Sequence, residues 1–267
     1  MTRAQKTIKY LALALAAFLI FCMISTIFSL ATFFFGGKPL SEELSRVEIE
    51  KEYNALNIEL FATSLEIRVG ETFLLETNDP SLEIKVKDRT LCITEDEGWG
   101  RRQKEDALLV LTVPAEFLFR MVEMTVGAGN VWIEDLRVEH LDLELGAGSV
   151  KIDMLRAESS AEIEGGAGEL KINGALKDLD LDMGVGALEL RAELIGKASI
   201  DCGIGEVQIT LLGGMENYTV KASKGIGEVT LNGEDLPGGT AVGNGNTSVS
   251  VSGGVGTVRI LTEEASS

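Results

Sequence analysis

One phrase recurs seven times between Gly127 and Ile260: Gly, any residue, Gly, any residue, an aliphatic, any residue, an aliphatic. Gly127, Gly129, Val131 and Ile133 make the first copy, and Gly254, Gly256, Val258 and Ile260 the last. The first glycines are Gly127, Gly146, Gly166, Gly184, Gly203, Gly225 and Gly254, at intervals of 19, 20, 18, 19, 22 and 29 residues. A repeat of this period points to a solenoid, whose units bury their apolar faces only by stacking on one another. A degenerate Gly243-Asn244-Gly245 splits the longest interval.

Apolar parity shows how one coil is made. A strand with period-two alternation precedes each corner, as in Leu141, Leu143 and Leu145, or Leu179, Leu181 and Met183. Continuing that alternation places Ala128, Ala147, Ala167, Val185, Ile204, Ile226 and Val255 inside as well. The next inward residue comes three positions later, so parity slips at the second glycine, the mark of a corner between two strands. Each coil is then strand, glycine corner, strand and turn, with parallel sheets along the stack. The expected fold class is all-β, a single-domain β-solenoid of about 19–20 residues per coil, with about 11 or 12 serial coils beyond residue 36.

Other readings of Gly-x-Gly fail. A dinucleotide fingerprint needs one strand–turn–helix unit and a third glycine, whereas strands follow every copy here. The calcium-binding nonapeptide solenoid begins as Gly165-Gly166-Ala167-Gly168 does. Leu170 replaces its liganding Asp, and an aliphatic does so in every other copy, which argues against calcium in the corner.

The N-terminal part has a different character. Tyr10 to Phe35 contains no charged residue and follows Arg3, Lys6 and Lys9. At ~1.5 Å per residue this run exceeds the ~30 Å hydrocarbon core of a bilayer. It reads as a transmembrane signal anchor over 10–35, preceded by a cytoplasmic N-terminus over 1–9 and followed by a linker over 36–46. The extracytoplasmic solenoid then spans 47–262 and a tail 263–267. A cleaved signal peptide is the alternative, although the end of the run lacks a small-x-small site. The expected localisation is a single-pass cell-membrane protein with its N-terminus cytoplasmic.

All 42 Asp and Glu lie beyond residue 37, so the outer part is more acidic than the whole chain, whose net charge is −18. That argues against nucleic acid or an anionic lipid surface as partner of the outer part. Cys92 and Cys202 fall in apolar strand patterns and read as structural thiols rather than a disulfide. His140, the single histidine, sits in an inter-strand turn. No nucleophile motif or zinc spacing occurs. The reading is therefore non-enzymatic, with no catalytic, cofactor or metal residues and no cofactor; a polysaccharide-active β-helix enzyme would rest on fold analogy alone.

One pattern could carry chemistry. At four and two residues before the first glycine stand Glu123 and Thr125, Asp142 and Glu144, Glu162 and Glu164, Asp180 and Asp182, then Ser199 and Asp201. In register, Glu123, Asp142, Glu144, Glu162, Glu164, Asp180, Asp182 and Asp201 form an acidic ladder repeating at ~4.8 Å. It reads either as a solvated face that blocks sheet-to-sheet aggregation or as a site for divalent cations or a basic partner. Later coils carry Lys221 and Ser223, then Ser250 and Ser252.

The order of these features resembles the bacterial putative-adhesin domain family of unknown function: an N-terminal apolar anchor, paired short strands, a charged loop, Leu109-Val110-Leu111-Thr112-Val113-Pro114, then the serial glycine phrase. That family is related to the C-terminal domain of membrane proteins that respond to cell-wall-active antibiotics. The resemblance covers roughly residues 47–262 and implies a membrane-anchored β-solenoid of the bacterial cell envelope, with no catalytic residues to carry over. Two functions follow as expectations: an adhesion or binding module for a surface ligand or envelope protein, held in the lipid bilayer through residues 10–35, or an envelope-stress regulator acting on a membrane sensor partner.

Overall fold

Leu56 and Ile58 are fully buried while Glu59 between Ile58 and Leu60 faces solvent, and the same alternation runs through Leu141, Leu143, Val150 and Ile152. Each limb of a coil is thus a strand with one apolar edge, and burying such a Leu or Ile contributes ~1.5–3 kcal/mol. A computed structural model describes residues 43–49, 52–95, 106–236 and 238–264, all in one compact unit that spans Leu40–Asp96 and Glu105–Ser267.

The glycine corners do not interrupt the hydrogen-bond ladder. Leu136–Leu212 is one continuous wound strand that passes four corners. Leu118–Ile133 pairs with it in parallel, with Gly129 opposite Gly148, Val131 opposite Val150 and Ile133 opposite Ile152. The second glycine of the Gly186 and Gly205 corners has φ of 145° and 151°. A Cβ on Gly205 would stand 1.7 Å from the Gly186 carbonyl oxygen. Both the backbone conformation and the closeness of the next coil therefore demand glycine.

The middle residues of the corners point outward, contrary to the alternation argument. Ala128, Ala147 and Ala167 are exposed, and Val185, Ile204, Ile226 and Val255 are 50%, 55%, 74% and 45% exposed. The last inward residues are those just before the corner, such as Val126 and Met183. The chain turns outward across all three corner residues, so the parity slip begins at the first glycine.

Layer order departs from chain order at both ends. Gly256 pairs with Gly205 and Val255 with Ile204, while Gly227 pairs with Gly256 and Ile226 with Val255. The last coil, Thr247–Glu263, is therefore inserted between the Gly203 coil and the Gly225 coil. Gly213 and Gly214, at φ of 105° and 77°, with the short 3-10 turn Met215–Asn217, carry the chain past the skipped layer. At the other end Ala55–Leu60 lies between Thr90–Glu95 and residues 121–126, parallel to both. Ser64–Gly70 likewise lies between Leu108–Pro114 and residues 131–133.

Nine layers result among the described residues, fewer than the 11 or 12 expected, because the remaining strands are antiparallel end covers. Leu82–Lys87 covers Thr90–Glu95, and Leu74–Thr77 with Ser45–Val47 covers Leu108–Pro114. Ala241–Gly243 and Glu234–Asp235 lie on Tyr218–Leu231, so Gly243-Asn244-Gly245 is part of an edge cover and not a corner. Such covers keep the end strands from pairing with other chains. At the corner of the first coil, which has no glycine, the Glu95 carboxylate accepts hydrogen bonds from the backbone N–H groups of Phe61, Ala62 and Thr63 at 2.8, 3.0 and 3.1 Å.

The all-β repeat stands, and the described residues hold no counterpart of the helix expected before it. Among the described residues no helix is long and apolar enough to cross a membrane, and the span expected at 10–35 lies outside them. The transmembrane signal anchor, the lipid bilayer as partner, the single-pass cell-membrane localisation and the membrane-anchored forms of the binding and stress-regulatory functions lose their support accordingly. Of the charged loop expected from Glu95 to Asp106, residues 96–105 lie outside the described residues, and Glu95 ends the strand Thr90–Glu95.

Candidate functional site

The eight ladder carboxylates fall into two columns. Glu123 is opposite Asp142, and Thr125 opposite Glu144. Gly166 stacks on Gly146, Gly184 on Gly166 and Gly203 on Gly184, which carries the same register through Glu162, Glu164, Asp180, Asp182 and Asp201. Beyond Asp201 the column continues through Ser252 to Ser223, and the other ends in Ser199, Ser250 and Lys221.

The column nearer the corner borders a groove of about 780 Å³ that runs across six layers, from Thr125 to Ser252. Glu144, Glu164, Asp182 and Asp201 line it, with the first glycines of the corners and the residues between, including Met183 and Cys202. Glu123, Asp142, Glu162 and Asp180 stand outside this lining. The groove exists because glycines put no side chain beside the carboxylates. Gly165 and Gly253, which double the corner glycine in two coils, also line it.

Charge is distributed unevenly around the corner. After it, charges pair between coils: Lys171 with Glu189 at 2.7 Å, and Arg259 with Glu206. Lys151 pairs with Asp153 at 2.8 Å, and the Trp132 indole donates to the same carboxylate at 2.8 Å. Before the corner, the contacts of the ladder are to neutral groups: Asn57 to Glu123, Thr125 to Glu144 and Ser199 to Asp201. Desolvation raises the Asp182 carboxyl above its ordinary value, and the charges of Asp201 and Asp180 add to the effect. Among the described residues no three His, Cys, Asp or Glu side chains gather closely enough to hold a metal ion.

The remaining candidates are quiet. Cys92 and Cys202 are free thiols, half-buried. Burial, with the charges of Asp201 and Asp182, pushes the Cys202 thiol up to about 11, which keeps it protonated and a poor nucleophile at neutral pH. His140 is exposed, with its Nδ1 2.9 Å from the Ser160 hydroxyl.

A family profile described as Toastrack DUF4097 matches residues 47–260. The chain belongs to this family. A Toastrack domain of this layered form is similar to a solved putative adhesin from Bacteroides fragilis, at 16% identity and TM-score 0.51, covering 84% of this chain and 100% of that one. A putative cell adhesion protein from Clostridium sporogenes matches at 17% identity and TM-score 0.40, over 84% and 100% of the two chains. A putative adhesin from Parabacteroides merdae matches at 13% and 0.43, over 84% and 98%. No curated protein matches the chain. The Bacteroides fragilis structure supports the fold of the Toastrack domain and leaves its ligand open.

Proposed function

We propose that this Toastrack domain is a binding module whose acid-walled groove receives an extended, positively charged segment of a partner protein. The observation that carries this reading is the line of Glu144, Glu164, Asp182 and Asp201 along one wall, without a Lys or Arg partner in any of the ion pairs described. Carboxylates repeating at the ~4.8 Å interstrand distance match a linear cationic partner better than a single ion. The domain is not an enzyme. Its single imidazole is exposed and bound to a serine, its groove thiol is held protonated, and the Bacteroides fragilis relative is named a putative adhesin, a binding role.

Fluorescence anisotropy with a labelled oligolysine peptide tests the reading. Glu144→Gln, Glu164→Gln, Asp182→Asn and Asp201→Asn together are expected to weaken binding by roughly tenfold or more, and raising salt to weaken the wild type likewise. Glu139→Gln, Glu193→Gln, Glu228→Gln and Glu234→Gln remove the same charge elsewhere. Equal losses in the two quadruple variants would mean that net charge, not the groove, attracts the peptide.

A further inference from the structure

A second cavity, of about 750 Å³, opens at the N-terminal end of the stack, beside Tyr53, Phe73 and Phe117. These rings form a continuous aromatic wall: Tyr53 and Phe73 lie 4.9 Å apart between centroids, and Phe73 and Phe117 4.8 Å, edge to face. Phe73 and Phe117 are only half-buried, so their apolar surface is presented to the cavity. A volume of this size suits a small organic ligand.

Two further observations converge on the same place. Tyr53 is 7% exposed, and its hydroxyl is buried with no hydrogen-bond partner, which buried polar groups rarely tolerate. Burial also raises its pKa, so it is a neutral donor. Among the described arginines, Arg68, Arg137, Arg156, Arg191 and Arg259 each contact a carboxylate. Arg46, Arg89 and Arg120 make no such contact in a chain rich in carboxylates, and of these three Arg46 and Arg89 line this cavity.

We infer that this cavity binds a small amphiphilic anion, its head group held by Arg46 and Arg89 and its apolar body laid against Phe73 and Phe117. Glu48 and Glu52 also line the cavity and oppose a second negative charge, so the head group carries one: a carboxylate, a sulfonate or a phosphodiester. The aromatic wall takes a ring or an alkyl chain by the same apolar contact. This site is separate from the groove, and its partner has the opposite charge.

Titration of the full chain with 1-anilinonaphthalene-8-sulfonate, an aromatic monoanion that fluoresces when desolvated, tests the inference. Saturable binding of one equivalent is expected, displaced by octanoate and not by the same concentration of 1-octanol. The exposed pair Arg46→Gln and Arg89→Gln should weaken it by roughly fivefold or more without moving the melting temperature. The quadruple groove variant should bind the dye as the wild type does, which separates this site from the groove. A smaller loss in the arginine variant, equal displacement by octanol, or no saturable phase would overturn the assignment.

Discussion

Gly254 lies directly on Gly203: a Cβ on Gly254 would come within 2.2 Å of the Gly203 carbonyl oxygen, although the Gly225 corner stands between them in the chain. The stack is thus closed by a coil that returns beneath its predecessor. A non-local closure of this kind makes the last layer depend on the one before it being in place, since Thr247–Glu263 is paired on both sides. It also leaves Tyr218–Leu231, with its two antiparallel covers, as the end strand.

Cysteine pairing reads that order. In a background with the natural cysteines changed to serine, Glu206→Cys with Thr257→Cys should oxidise readily, because the two positions are paired neighbours. Glu206→Cys with Glu228→Cys should stay reduced, because Thr257 lies between them. Mass shift on a non-reducing gel checks it; the opposite result would restore a serial stack.

Substitution at a corner should be far more costly than at an open glycine. Gly205→Ala sets a Cβ against backbone at 1.7 Å in a conformation that disfavours it, whereas a Cβ on Gly238 meets nothing within 4 Å. Gly205→Ala should lose about 3 kcal/mol or more in urea unfolding, combining backbone strain with overpacking, and Gly238→Ala should stay within about 0.5 kcal/mol of wild type.

The interior of the fold was legible because each interior coil repeats the same local solution: alternating aliphatics, then a corner where only glycine fits. Val131, Val150 and Leu170 could be placed in the core from spacing alone. The ends could not, because strand pairing depends on which layer the chain returns to, and nothing local to Val255 distinguishes Ile204 from a coil further on. The antiparallel covers carry ordinary strand patterns, so nothing within Leu82–Lys87 or Ala241–Gly243 distinguishes them from limbs of further coils. The acidic columns were legible as register, but the groove beside them depends on where side chains are missing. The cavity at Tyr53 unites residues from four separate segments, beyond the reach of a periodic reading.

Glu95 should matter more than its place before the charged loop suggests. Removing its carboxylate with Glu95→Ala leaves three backbone N–H groups of the first corner without their acceptor, one of them buried. A loss of about 2–3 kcal/mol is expected in chemical denaturation, and Glu95→Gln, which keeps one oxygen acceptor, should lose about half as much. A loss below about 0.5 kcal/mol for Glu95→Ala would mean that water replaces it freely.

Asp182 gives the groove a pH signature. Its folded-state pKa lies above the unfolded value, so the ionised group opposes folding at neutral pH. That opposition is fully present above the folded pKa and fades as pH falls through it toward the unfolded value. Asp182→Asn should therefore raise stability at neutral pH and low salt, by only a few tenths of a kcal/mol because the group is largely solvated. The part of the gain that comes from Asp201 and Asp180 should shrink as salt rises, and the whole of it should vanish below the unfolded value of about 4, where the carboxyl is protonated in both states. Melting curves of the two proteins between pH 3 and 8 measure the difference. A gain that persists at the acid end would assign it to packing beside Met183 rather than to desolvation of the charge and its repulsion by Asp201 and Asp180, and the groove would then lack the crowded charge on which its attraction for a cationic segment depends.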